Sequence, residues 1–111
     1  MAIIVVMDII IKENSWRARI AARQLKGTRA AIVFNNVIYL WGVDKEAFLL
    51  NLSWTRHEVA HVYQYKKYGF LGFILLYLLE TARSGYYNNR FESEARSKEE
   101  DPAILEGIRF T

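Results

Sequence analysis

The chain has no cysteine, one proline and two histidines in 111 residues. Without cysteine, neither a disulfide framework nor a thiolate metal site can form. Any metal must therefore be held by histidine and carboxylates. The single proline, Pro102, and six glycines exclude collagen-like and linker-rich chains. Long apolar runs are also missing. The longest covers residues 70–79, about half of the ~20 residues that a membrane span requires. It reads as a buried helix, with an interfacial role for this aromatic-rich run as the secondary reading, and a membrane partner is not the expected one. Residues 1–11 are apolar but contain Asp8 and no basic segment. A signal peptide is not expected, which makes the cytoplasm the expected location.

What is present is ordinary globular material: 52% hydrophobic and 24% charged residues. A chain of this length makes one domain, residues 1–111, with no room for a second core. The net charge of +3 is unevenly placed, with six bases and one acid in residues 12–29 and four bases and six acids in residues 90–109. Such runs ordinarily mark solvated helix faces. A nucleic-acid or membrane-surface binder using Arg17, Arg19, Arg23, Lys26 and Arg29 is the minor reading, and no nucleic-acid partner is expected.

Residues 1–11 are rich in β-branched side chains and read as a strand. Asn14 or Ser15 can cap a helix whose Ala18, Ala21, Ala22 and Leu25 form one apolar stripe, ended by Gly27. Residues 30–34 and 37–41 are two β-rich runs joined by Asn35-Asn36, a hairpin pattern. A helix should begin near Glu46, or after Ser53, and run to about Tyr68. Residues 70–82 make a second, strongly buried helix closed by Ser84-Gly85. A polar helix then starts at Asn89 and ends before Pro102. The order β-α-β-β-α-α-α implies an α+β fold, a small antiparallel-containing sheet packed on helices.

His57-Glu58-Val59-Ala60-His61 is an H-E-x-x-H sequence on a helical segment. Residues i and i+4 lie one turn apart on the same face, so both imidazoles can reach one Zn²⁺. Glu58 projects beside that face, where its carboxylate can take a proton from metal-bound water. A catalytic site needs a third protein ligand. With both histidines used, it must be a carboxylate: Glu80, Glu92, Glu94, Glu99, Glu100 or Asp101.

The segment Asn89-Arg90-Phe91-Glu92-Ser93-Glu94-Ala95-Arg96 resembles the E-x-x-A helix of gluzincins, zincin metallopeptidases whose third ligand is a glutamate on a later helix. The resemblance implies Glu92 as that ligand, with Ala95 leaving space beside the zinc helix and Glu94 as the alternative. Many gluzincins place an Asp four residues after the ligand, oriented on a ligand histidine; here that position is Arg96. The stretch from His61-Val62-Tyr63-Gln64-Tyr65 through Tyr86-Tyr87 to Glu92 also resembles small bacterial zincin-like domains, over roughly residues 17–97. A competing local reading of Glu92 exists. Asn89 and Glu92 have capping-box spacing, and Glu92–Arg96 and Glu94–Lys98 are i,i+4 pairs worth ~0.2–0.5 kcal/mol each.

Zincins lay an extended peptide along a sheet edge just upstream of the zinc helix. The resemblance therefore implies a substrate edge in the hairpin, placed at Val37, Ile38, Tyr39 and Leu40. Tyr86 and Tyr87, shortly before Glu92, are candidates for stabilising the transition state. Tyr63, Tyr65, Tyr68, Phe70 and Phe73 read as core packing.

The expected activity is hydrolysis of peptide bonds in a peptide or protein substrate by a zinc metallopeptidase. His57, His61 and Glu92 would bind Zn²⁺, and Glu58 would act as general base and then acid. Two alternatives stand beside it. One is a non-catalytic zinc-binding interaction module. The other is a latent peptidase whose tail, residues 102–111, blocks the cleft, with Glu99, Glu100, Asp101 or Glu106 as a fourth ligand; the main reading of the tail is a packed segment that buries Ile104, Leu105, Ile108 and Phe110. So short a chain has little cleft wall, which makes a homo-oligomer or a partner subunit a further expectation.

Overall fold

A computed structural model describes residues 7–111. Residues 1–6 of the expected first strand lie outside the described residues. The elements are β1 (Met7–Lys12), α1 (Trp16–Gln24), β2 (Ala30–Phe34), β3 (Val37–Trp41), α2 (Lys45–Leu50), α3 (Leu52–Tyr68), α4 (Phe70–Asn88), α5 (Arg90–Ser97), a 3₁₀ turn (Pro102–Leu105) and β4 (Ile108–Phe110). The fold is α+β.

The four strands form a mixed sheet in the order β2-β3-β1-β4. β2 and β3 are the expected antiparallel hairpin, with Phe34 opposite Val37 and Ala30 opposite Trp41. Asn35 takes the positive φ of 55° that the tight connection needs. β1 then runs parallel to β3, and β4 parallel to β1. β3 is therefore interior, hydrogen-bonded on both sides. The expected substrate edge at Val37, Ile38, Tyr39 and Leu40 is corrected: among the described residues the outer strand of the hairpin is β2. The reason is non-local, since β1 arrives from earlier in the chain and occupies the outer side of β3.

Side chains alternate along the strands, as the pleat dictates. Ile9, Ile11, Ile38, Leu40 and Val33 are buried and form the core with Phe48, Val59, Val62 and Phe73. α3 carries the motif through this core. Asn51 starts it by accepting a hydrogen bond from the Trp54 N–H. Asp44 caps the preceding α2 in the same way. The one helix expected here, from near Glu46 or after Ser53, is thus two helices, with Asn51 alone between them. Ser15 caps α1. The helix does not end on a left-handed Gly27: Lys26 holds φ of 56°, while Gly27 N–H reaches back to Ala22 O at 2.8 Å and Lys26 N–H to Arg23 O at 3.1 Å, a Schellman closure. Gly42 is required by space as well as by φ, because a Cβ there would lie 2.4 Å from the Thr28 carbonyl oxygen.

α4 corrects a second expectation. Its apolar run is not strongly buried; only Phe73 is, and Leu71, Leu75, Leu78 and Leu79 are exposed. Hydrophobicity alone does not distinguish a helix inside a core from one that covers a core on one side. The aromatic run does pack largely as expected: Tyr65 and Phe73 are buried with ring centroids 4.5 Å apart, though Phe70 is 41% exposed. The helical run from Phe70 is interrupted at Gly85 (φ 79°, ψ 168°), where Ser84-Gly85 is expected to close it, and one further turn follows to Asn88.

The tail is part of the fold. β4 pairs with β1, and Ile104, Leu105, Ile108 and Phe110 pack against the core. Among the described residues, no helix is long and apolar enough to cross a membrane.

Candidate metal centre

Three elements bring the site together. α3 presents His57 and His61 one turn apart, ring centroids 5.0 Å from each other. α5 presents Glu92, and α4 closes the side with Tyr77. Asn89 sets the position of α5. It is fully buried; its Oδ1 accepts from Phe91 N–H at 2.8 Å, capping the helix. Its Nδ2 donates to Tyr77 O at 3.1 Å and to Thr81 Oγ1 at 2.9 Å, tying the cap to α4.

Glu92 is the third helical residue, yet its carboxylate does not turn back to the cap as a capping box would have it. Oε1 lies 3.0 Å from His57 Nε2 and 3.2 Å from His61 Nε2. One donor atom from each of His57, His61 and Glu92 falls within a single 4.8 Å cluster. Glu92 Oε2 accepts a 2.5 Å hydrogen bond from the Tyr77 hydroxyl. Glu94 stands elsewhere, accepting from Gln64 Nε2 at 2.8 Å. Neither i,i+4 ion pair forms: Arg96 donates to Tyr87 O and lies over the Tyr87 ring. The rest of the acids proposed from sequence, Glu80, Glu99, Glu100 and Asp101, are outside the cluster.

Outer partners fix both imidazoles. His57 Nδ1–H donates to Glu99 Oε2 at 2.8 Å, and Arg56 holds the Glu99 backbone carbonyl at 3.1 Å. His61 Nδ1–H donates to Gln64 Oε1 at 2.8 Å, and Gln64 Nε2 is in turn held by Phe91 O at 3.0 Å. With Nδ1 so engaged, each ring turns Nε2 toward Glu92, the orientation metal-bound histidines require. Glu99 thus supplies the carboxylate that Arg96 does not, from a turn beyond α5 and on the side of His57 away from Glu92.

Electrostatics follow this geometry. Burial opposes protonation of His57, but the hydrogen bond to Glu92, the charge of Glu58 and the hydrogen bond to Glu99 raise its pKa to about 9. His61 is raised too: burial opposes its charge, and Glu92 and Glu58 outweigh it. Burial also works against ionising Glu92, yet hydrogen bonds from His57 and His61 hold its carboxyl well below the usual range. Glu58 moves the other way. It is buried, and burial raises its pKa above the carboxylate range, with His61 and His57 opposing.

The histidines, Glu58 and Glu92 open onto a cleft of about 300 Å³. Ala31, Ile32, Val33 and Phe34 of β2 form one wall, and Ile74, Tyr77 and Leu78 of α4 face them. Tyr86 lines the cleft, its pKa raised to about 12 by burial and by the Glu92 and Glu58 carboxylates. Tyr87 does not line it and is 70% exposed. Val37, Ile38, Tyr39 and Leu40 are likewise absent from its walls, as is every residue after Glu92.

Sequence reasoning missed Tyr77 and Gln64, and named Glu99 as a candidate metal ligand where the structure places it behind His57, on Nδ1. Gln64 had a usable signal, lying three residues after His61 on the same helix face. Tyr77 and the outer position of Glu99 had none, being placed by packing between helices distant in sequence. No family model, no curated protein and no solved structure matches the chain.

Proposed function

We propose that the chain is a small zinc-dependent metallopeptidase of gluzincin type, with a zincin-like arrangement of sheet edge and metal helix. The observation that carries this reading is the convergence of His57 Nε2, His61 Nε2 and Glu92 Oε1 beside a buried Glu58. The donors fit the group: two imidazole nitrogens with fixed tautomers and one carboxylate oxygen make a His₂Glu set, which suits zinc with room for a non-protein ligand. When bound, Zn²⁺ supplies Lewis acidity that polarises a carbonyl and acidifies water.

The chain's own residues supply the rest. The carboxyl of Glu58, raised by burial, suits a group that takes a proton from water and returns it to the departing amine nitrogen. β2 is hydrogen-bonded on one side only among the described residues. Its outer N–H and C=O groups are open to an extended peptide, which would add as a further strand. Tyr86 keeps its hydroxyl proton at neutral pH and lines the cleft, so it is the donor positioned for a developing oxyanion. Tyr77 is committed to Glu92 and orients the ligand instead.

The test is Glu58→Gln. The variant should bind zinc as wild type does and lose peptide hydrolysis by at least about 100-fold, the lower range for a general base. Undiminished hydrolysis by this variant would overturn the mechanism.

A further inference from the structure

The leucines of α4 face solvent in a pattern. Leu71, Leu75, Leu78 and Leu79 are 71, 67, 59 and 56% exposed. The spacing i, i+4, i+7 aligns Leu71, Leu75 and Leu78 on one stripe, which the exposed Ala82 extends. No residue from 68 to 79 is charged. Contiguous exposed apolar surface of this kind marks a site of interaction.

α1 supplies the opposite rim of the same cleft, and its exposed face is apolar and cationic together. Trp16 and Ile20 are 62% and 51% exposed, and Arg17, Arg19 and Arg23 are exposed among them. Residues 14–43 contain five bases and no acid. Leu25, which caps α1, and Leu78 of α4 both line the cleft while more than half exposed. Both helices therefore border the cleft.

We infer that this rim docks on an anionic lipid bilayer, with α4 and α1 seated at the headgroup boundary and the cleft mouth against the lipid surface. Leucines on one helix face enter the acyl boundary, a Trp sits at headgroup level, and arginines meet anionic headgroups. Charge complementarity favours this occupant over a second copy. A two-fold contact across this rim would set Arg17, Arg19 and Arg23 against the same three. The apolar stripe is too short to span, so the chain lies on the bilayer. This docking does not depend on metal or on hydrolysis, and its test leaves the peptidase reading untouched.

The experiment is flotation of the intact chain with vesicles of equimolar phosphatidylcholine and phosphatidylglycerol, against phosphatidylcholine alone. Wild type should float with the anionic vesicles only. Brominated acyl chains should quench its Trp fluorescence, and Trp16→Phe should remove most of that quenching. Arg19→Gln/Arg23→Gln should weaken binding about 30-fold at low salt, at roughly fivefold per charge. Leu71→Glu/Leu75→Glu should abolish it while circular dichroism stays native. If the leucine variant fails to fold, the arginine pair and the Trp16 quenching decide. The inference falls if wild type stays with neither vesicle, or if the arginine pair binds as wild type does. It falls equally if the chain forms a dimer in solution that the leucine pair dissociates while vesicle binding is absent.

Discussion

A carboxylate oxygen of Glu99 lies 2.8 Å from Nδ1 of His57, on the opposite side of the ring from Glu92. His57 is thereby gripped at both nitrogens, and its ring cannot rotate without losing one bond. Glu99 is partly exposed, with 34% of its side chain accessible, so removing it leaves no unpaired buried charge. Glu99→Ala should fold normally and bind zinc about 10–100-fold more weakly, the range for losing an outer partner of a ligand histidine. Gln64→Ala should do the same through His61. Competition titration with a chromogenic chelator measures both, and wild-type affinity in Glu99→Ala would make its contact incidental.

Glu92 and Glu94 stand two residues apart and face different neighbours. Glu92 addresses both Nε2 atoms, whereas Glu94 only steadies Gln64. Glu92→Ala should lower zinc affinity by more than about 100-fold, beyond the effect of an outer partner. Glu94→Ala should change it by less than about 10-fold. Elemental analysis after gel filtration separates the two, and full zinc content in Glu92→Ala would remove it from the ligand set.

The metal-free protein should show an opposed pH response in stability and in metal affinity. The folded pKa of His57, about 9, exceeds its ordinary 6.5. Protonated His57 therefore stabilises the fold fully below about pH 6.5, and that contribution fades as pH rises through 9. Glu92 is depressed below its ordinary 4.5, so its contribution is present above that value and lost in acid. Thermal unfolding in chelator should peak between the two ordinary values. Zinc binding requires the Nε2 lone pair, so affinity should rise across the same window in which metal-free stability falls. A melting temperature flat from pH 6.5 to 9 would show that the His57 cluster contributes nothing to the fold.

Local pattern made much of this legible. The hairpin bounds, the Ser15 cap and the H-E-x-x-H face depend on neighbours within a few residues. The edge strand did not, because whether β3 is interior depends on β1 crossing to it. The apolar run of α4 misled for a related reason. A stripe of leucines satisfies a core or a partner equally well, and only the placement of Phe73, inward between Tyr65 and Phe91, shows which face the core took. Tyr77, and the place of Glu99 behind His57, became visible only once helices distant in the chain were packed together.

The C-terminal tail has two readings from sequence, a packed segment as the main one and a cover over the cleft that restrains activity as the variant. Its placement agrees with the packed segment. Ile108 pairs beside Met7 and Phe110 beside Ile9, at the opposite end of the strand order from β2, which forms the cleft wall. Ile104, Leu105, Ile108 and Phe110 are partly buried against the core. At about half of the 1.5–3 kcal/mol for a fully buried apolar side chain, they contribute roughly 3–6 kcal/mol. That is a large part of the ~5–15 kcal/mol typical of a whole domain. The exposed Asp8–Arg109 pair adds little. Deleting residues 102–111 should therefore lower the denaturant midpoint sharply or prevent folding, with no gain in hydrolysis per folded molecule. A truncated chain that melts like wild type and cleaves peptide faster would show that the tail restrains the site.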